Sequence, residues 1–179
     1  GRIVDDRQTT NRFLADLRRT IADLVATNHY DYFAELAARY GLGTHSEAGG
    51  PHGGPIDALE NFRDSSFPQT EFWVMSARHR VTPEQRFFVK EAASAAHIYG
   101  KPYAAAEGFT SLGLPWSESP GLNLKPTFDQ ALTEGLNRLY WHQFTSEPRA
   151  AGLPGQEYVA GTHLNPNTTW WKQAGPVLL

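Results

Sequence analysis

Cysteine is missing from this chain of 179 residues, which excludes disulfides and thiolate metal sites. No run of about 18 apolar residues occurs, so nothing in the sequence reads as a membrane span. No basic run occurs either. The 16 Lys and Arg are interspersed with 19 Asp and Glu, for a formal net charge of -3, and nucleic acid is not an expected partner. HExxH, GxSxG, GxGxxG and Walker A patterns are all missing, which removes the usual zinc hydrolase, serine hydrolase and nucleotide-binding readings. The chain opens on Gly1-Arg2-Ile3, so the lack of a leader says nothing about compartment.

What remains is an ordinary globular composition, 40% hydrophobic and 20% charged, with two accents. Aromatic residues make up 12% and include five Trp and seven Tyr. Gly and Pro gather at 41–55, 113–126 and 148–155. Aromatic rings beside Gly/Pro-rich loops suit a sugar site, because the C–H faces of sugars stack on rings. For any single Trp, plain core packing accounts for the residue equally well.

The hydropathy pattern predicts helices and strands in alternation. Phe13, Leu14, Leu17, Ile21, Leu24 and Val25 mark a helix over 9–26. Asn28-His29 breaks the pattern, and a second helix over 29–40 ends at Gly41 as its C-cap. Gly43 to Glu47 reads as a short strand, 56–62 as a short helix, and Glu71 to Met75 as a strand preceded by Phe67-Pro68. Thr82-Pro83-Glu84-Gln85 is a capping-box pattern that starts a helix running to about Tyr99. Tyr103 to Glu107 reads as a strand, despite its alanines. A helix around Phe128, Leu132 and Leu136 leads to a strand over 137–143, and a loop-rich tail over 144–179 holds Trp170-Trp171 on a short helix. Such alternation implies an α/β fold with parallel strands and function at their carboxyl ends. A closed (β/α)8 barrel takes about 200–250 residues, so the chain is either half a TIM-type barrel or a smaller open sheet.

Glu47, Glu71 and Glu107 each lie in or beside an expected strand. Glycoside hydrolysis needs two carboxyl groups flanking the scissile bond. One glutamate at a strand end is more often a solvated charge, whereas three in successive units are harder to dismiss. His142, ending the last strand, is placed to donate to a sugar hydroxyl. His97, late in a helix, fits the bland role of a cation at a helix C-terminus.

Several segments carry a resemblance. Ser46-Glu47-Ala48-Gly49-Gly50-Pro51, Glu71-Phe72-Trp73, the stretch from Ala93 to Lys101, and Ala106-Glu107-Gly108-Phe109-Thr110 resemble successive motifs of the α-L-rhamnosidases of glycoside hydrolase family 106. Asp129, Gly135-Leu136-Asn137, His142, Pro154-Gly155 and Thr169-Trp170-Trp171 extend the likeness from about residue 10 onward. The resemblance implies that 1–179 is a single partial catalytic domain, roughly strands five to eight of a (β/α)8 barrel. It implies inverting hydrolysis of terminal α-L-rhamnose, with a bound calcium ion. Glu107 falls at the general base and Glu71 at a second acidic position that binds metal or sugar. Glu47, His142, Trp73, Trp141 and Trp116 are then substrate-binding, and the general acid lies on an earlier strand, before Gly1. The expected partners are a carbohydrate substrate and either the missing half of the barrel or a second copy of the chain. A periplasmic or secreted location follows if the whole protein is a bacterial glycosidase. The alternative is a non-catalytic half-barrel that binds carbohydrate or self-associates.

Overall fold

The computed structural model describes residues 4–50, 54–74, 88–111, 124–144, 148–152, 155, 161 and 163–178. Asp6 caps the first helix, α1 (Arg7–Val25), accepting from the Thr9 N–H at 2.8 Å and the Thr9 hydroxyl at 2.7 Å. The expected break at Asn28-His29 does not occur. The chain widens instead into a π-helical segment, Ala26–Asp31, and continues into α2 (Tyr32–Arg39). Asn28 and His29 keep their amide donors and need no unusual dihedral, so they lower helix propensity without forcing an end. Gly41 does force one. At φ +68° it takes the left-handed position, while Leu42 and Gly41 donate to Ala37 and Ala38, closing a Schellman motif.

The apolar stripe of α1 does not enter the core. No residue of this helix is buried, and Phe13, Leu17, Ile21 and Leu24 are exposed. The spacing of the stripe was legible, but the surface it meets is not supplied by the described residues.

Four parallel strands follow, β1 (His45–Glu47), β2 (Phe67–Trp73), β3 (Ala105–Thr110) and β4 (Arg138–Trp141), hydrogen-bonded in chain order. They are joined through α3 (Ala58–Asn61), α4 (Val89–Tyr99) and α5 (Lys125–Thr133). This is the succession of βα units expected of part of a barrel. A short 3-10 turn over Arg149–Ala151 and a helix, α6 (Trp171–Leu178), complete the chain.

β2 begins four residues before Glu71, because Phe67 already pairs with His45 and Pro68 with Ser46. β3 begins at Ala105, two residues after the expected start at Tyr103, and runs on past Glu107 to Thr110. The helix expected from Thr82 is described only from Val89, and Phe88 stands outside it with φ -120° and ψ 11°. The capping-box residues lie outside the described residues.

The two faces of the sheet are unlike. On the convex face Phe72, Ala106, Leu139 and Trp141 pack against Val89, Leu124, Phe128 and Ala131. Ala92, Ala93, Ala95 and Ala96 are all buried on α4. These small side chains let the helix lie close to its neighbours. The concave face carries polar and aromatic groups. The rings of His45 and Tyr140 stand 4.4 Å apart, centroid to centroid. In a flat sheet, first and fourth strands are about 14 Å apart. The contact therefore requires marked curvature, as in a barrel wall. Phe67 and Tyr103 (5.4 Å), with the Arg138 guanidinium over Tyr103 (5.3 Å) and Tyr140 (5.7 Å), continue this layer.

Gly108 is the tightest point of the wall. A Cβ there would lie 2.4 Å from Leu139 Cδ1 and 2.5 Å from Phe72 Cζ. Gly108→Ala is expected to cost about 2 kcal/mol by overpacking, read as a fall in thermal midpoint of roughly 4–8 °C. An unchanged midpoint would mean the wall has slack that this packing does not show.

Candidate active site

Parallel strands put all four carboxyl ends at one edge of the sheet, and the acidic residues lie toward that edge. Glu71 and Glu107 are register partners on β2 and β3. Glu47, the last residue of β1, pairs with Gln69, two residues before Glu71 and so on the same face. The sheet therefore turns three glutamates from three strands toward one concave surface.

They differ in environment. Glu71 is buried, and its Oε1 accepts from the Trp73 indole N–H at 2.6 Å. Trp73 is itself buried, so in this conformation it acts as a wall that orients Glu71. Glu47 is open to solvent as a residue, but its carboxyl is partly withdrawn from water. That desolvation, followed by the charges of Glu71 and Glu107 and a hydrogen bond with Glu71, pushes its pKa up to about 8. Glu47 thus keeps its proton at neutral pH and can donate a hydrogen bond.

A pH dependence follows. The unfolded chain releases the Glu47 proton near 4.5, the folded chain near 8. Between those values the native state binds more protons, so stability falls as pH rises. Glu47→Gln is expected to flatten this slope in thermal melts taken from pH 4.5 to 8. An identical slope in both proteins would refute the assignment.

Glu107, half-buried, belongs to a short relay. The Thr110 hydroxyl donates to Glu107 Oε1 at 2.8 Å and lies 3.2 Å from His142 Nδ1. Since the hydroxyl proton is spent on Glu107, Nδ1 must be the donor to Thr110. His142 Nδ1 also stands 3.7 Å from Glu107 Oε1. Gly161 leaves room for this ring, because a Cβ there would come within 2.9 Å of Nδ1, and Gly161 is tied down by its N–H to Ser111 C=O at 2.9 Å.

Strict alternation would put Thr110 on the face opposite Glu107. A bulge prevents this. Phe72 pairs with Gly108 and Trp73 with Thr110, and the extra residue, Phe109, takes φ +70°. Phe109 turns into the convex core while Thr110 turns inward beside Glu107. Bulges re-aim side chains in this way, and a left-handed non-glycine residue stores about 1–3 kcal/mol of strain. Sequence reasoning missed Thr110, because period-two alternation argues against it. The only local hint is Gly108, since glycine within a strand often marks a bulge.

Of the other expected site residues, Trp141 is half-buried and stacks on Phe109 at 4.8 Å with 10° between the ring planes. Its ring thus belongs to the convex side. Trp116 lies outside the described residues. For calcium, hard oxygen donors would be required. Among the described residues, no group of three or more Asp, Glu or His is arranged to hold a metal ion. Those residues do not compose a calcium site by themselves.

The family model for α-L-rhamnosidases, glycoside hydrolase family 106, matches residues 1–179. The chain belongs to this family. The chain is similar to the solved rhamnosidase of Novosphingobium sp. PP1Y, with a TM-score of 0.69 and 28% identity over 93% of the chain and 16% of that structure. It is also 35% identical over 175 residues to a Formosa agariphila protein that bears a beta-glucuronidase name. The match takes in 97% of this chain and 14% of that protein. This family 106 chain therefore spans about one-seventh of the length of its curated relative. Family membership and the rhamnosidase likeness agree with the resemblance read from the Glu47, Glu71 and Glu107 motifs.

Proposed function

We propose that this chain supplies one wall of a glycosidase site that hydrolyses terminal α-L-rhamnosides with inversion. The observation that supports this reading is the convergence of Glu47, Glu71 and Glu107, from β1, β2 and β3, on one concave face. Glu107 is the general base. It takes a proton from water, whose oxygen bonds to the anomeric carbon as the glycosidic C–O bond breaks. A general acid on the remaining strands of the barrel protonates the leaving oxygen. Thr110 and His142 fix the Glu107 carboxylate, so its free lone pairs point at the water. Glu47, protonated at neutral pH, donates to a sugar hydroxyl, and Glu71, fixed by Trp73, accepts from another. We assign the described strands to positions five to eight of the barrel. Their open edges, β1 and β4, are then covered by the other half or by a second copy.

The name of the Formosa relative raises β-glucuronide as a substrate. A glucuronate carboxylate would approach Glu71 and Glu107 on one shared face, a like-charge arrangement that disfavours it. A neutral deoxy sugar meets no such repulsion. With the complete protein, 4-nitrophenyl α-L-rhamnoside is expected to be cleaved with kcat/KM about two orders of magnitude above that for the β-D-glucuronide. The reverse order would overturn the rhamnoside assignment.

A further inference from the structure

The turn that follows β1 is held from behind by the helix after β2. Ala48 and Gly49, both buried, join Glu47 to Gly50. Gly50 takes φ +101°, and a Cβ there would lie 3.9 Å from Glu71 Cγ and 3.8 Å from Phe88 Cδ2. The turn therefore rests on the stem of Glu71. From α3, Asn61 Nδ2 donates to Ala48 C=O at 3.4 Å. From α4, Glu91 reaches both glycines. A Cβ on Gly49 would come within 2.4 Å of Glu91 Oε2, and the Gly50 N–H donates to the Glu91 carboxylate.

The helix that carries Glu91 does not account for this placement. Glu91 is the third residue of α4, a position from which glutamate often reaches back to the N–H of the capping residue. Here the Phe88 N–H is already donated to Glu71 C=O at 3.2 Å, and the Glu91 side chain turns to the β1 turn instead. Its Oε2 is buried with no hydrogen-bond partner among the described residues. Burial pushes the Glu91 pKa up, and the Gly50 N–H opposes that shift. A glutamate left in water at the helix end would bear none of this cost. The contacts close a circuit. The Glu71 main chain holds Phe88, and Glu91 N–H donates to Phe88 C=O at 3.0 Å. The Glu91 side chain then holds the turn, which lies back on the Glu71 side chain.

We propose that Glu91 is a positioning residue: its carboxylate holds the Gly49-Gly50 turn over Glu71 and so sets the spacing of Glu47 and Glu71. Its consequence for hydrolysis rests on the rhamnoside reading above, whereas its consequence for the two glutamates does not.

In the complete protein, Glu91→Ala is expected to raise KM for 4-nitrophenyl α-L-rhamnoside about tenfold and to leave kcat within about twofold. Glu47 and Glu71 contact the sugar, while Glu107 on β3 is not reached by the turn. Glu91→Gln keeps an oxygen for the Gly50 N–H and should hold KM within about threefold of wild type. Gly49→Ala crowds the same carboxyl and should reproduce the KM defect. Combined with Glu91→Ala it should add little further, as expected of residues in contact. A fall in kcat at unchanged KM, a Gln variant as impaired as Ala, or additive effects of the pair would each overturn the proposal.

A second readout needs no substrate. Glu47 faces Glu71 and Glu107 from the sheet and Tyr30 from the π-helical segment. Tyr30, raised from 10, titrates above the window from pH 4.5 to 8. Neither Glu91 variant titrates at position 91, so a difference between their slopes of stability against pH in that window reports Glu47. Releasing Glu47 from Glu71 brings its pKa down toward the unfolded value, so the slope should be flatter in Glu91→Ala than in Glu91→Gln. Equal slopes contradict the positioning role even if the complete protein cleaves rhamnosides. A flatter slope in a protein that cleaves none supports the positioning of the two glutamates and removes the rhamnoside reading alone.

Discussion

Replacing Glu107 by glutamine in the complete protein is expected to lower kcat on an aryl α-L-rhamnoside by about 10³-fold while moving KM little. The size follows from the worth of a positioned general base, about 10²–10⁴ in rate. The small change in KM follows from the isosteric amide, which preserves the shape of the site and can still accept from Thr110 through its carbonyl oxygen. An interaction made only in the transition state should reduce kcat and kcat/KM together. Thr110→Val provides a graded companion. It deletes the 2.8 Å bond to Glu107 and the link to His142 but leaves the base in place, so its loss should be smaller. Undiminished turnover by Glu107→Gln would move the base to another carboxylate.

The largest effect on stability is expected at Phe72→Ala. Phe72 has no solvent exposure, meets Phe109 at 5.2 Å between ring centroids, and fills the space that a Cβ on Gly108 would enter. Burial of this ring also backs the bulge that turns Thr110 inward. Truncating a buried Phe costs about 3–5 kcal/mol, a large part of a typical domain stability of about 5–15 kcal/mol. For a chain of this size that corresponds to a drop of roughly 6–20 °C in thermal midpoint. Phe72→Leu, which keeps most of the volume, should cost under about 1.5 kcal/mol. Equal midpoints for the two variants, measured by circular dichroism, would show that the ring is not the keystone of this wall.

The parts of the fold that were legible in the sequence are those set by local rules. Gly41 and Gly100 end helices in the left-handed conformation, at φ +68° and +64°. Glu47 ends β1, whereas β2 and β3 run on past Glu71 and Glu107 to Trp73 and Thr110. Elements were misjudged where tertiary contacts override local preference. Tyr103 and Ala104 lie before β3, which starts at Ala105 and runs on through Gly108, because pairing with β2 and β4 sets the ladder. Asn28 and His29 were read as a break, yet a π turn absorbs them. The candidate site shows the same division. The shared face of Glu47, Glu71 and Glu107 follows from period two plus parallel register. The role of Thr110 does not, since it depends on a left-handed Phe109.

The stereochemistry of the first product tests the central claim most directly, that Glu107 activates water and does not attack the sugar itself. Proton NMR in the first minutes of hydrolysis of an α-L-rhamnoside by the complete protein would read the anomeric signal before mutarotation. The account predicts β-L-rhamnose first, the product of inversion with a water between base and sugar. Initial release of the α anomer would show retention through a covalent intermediate and contradict the role given to Glu107.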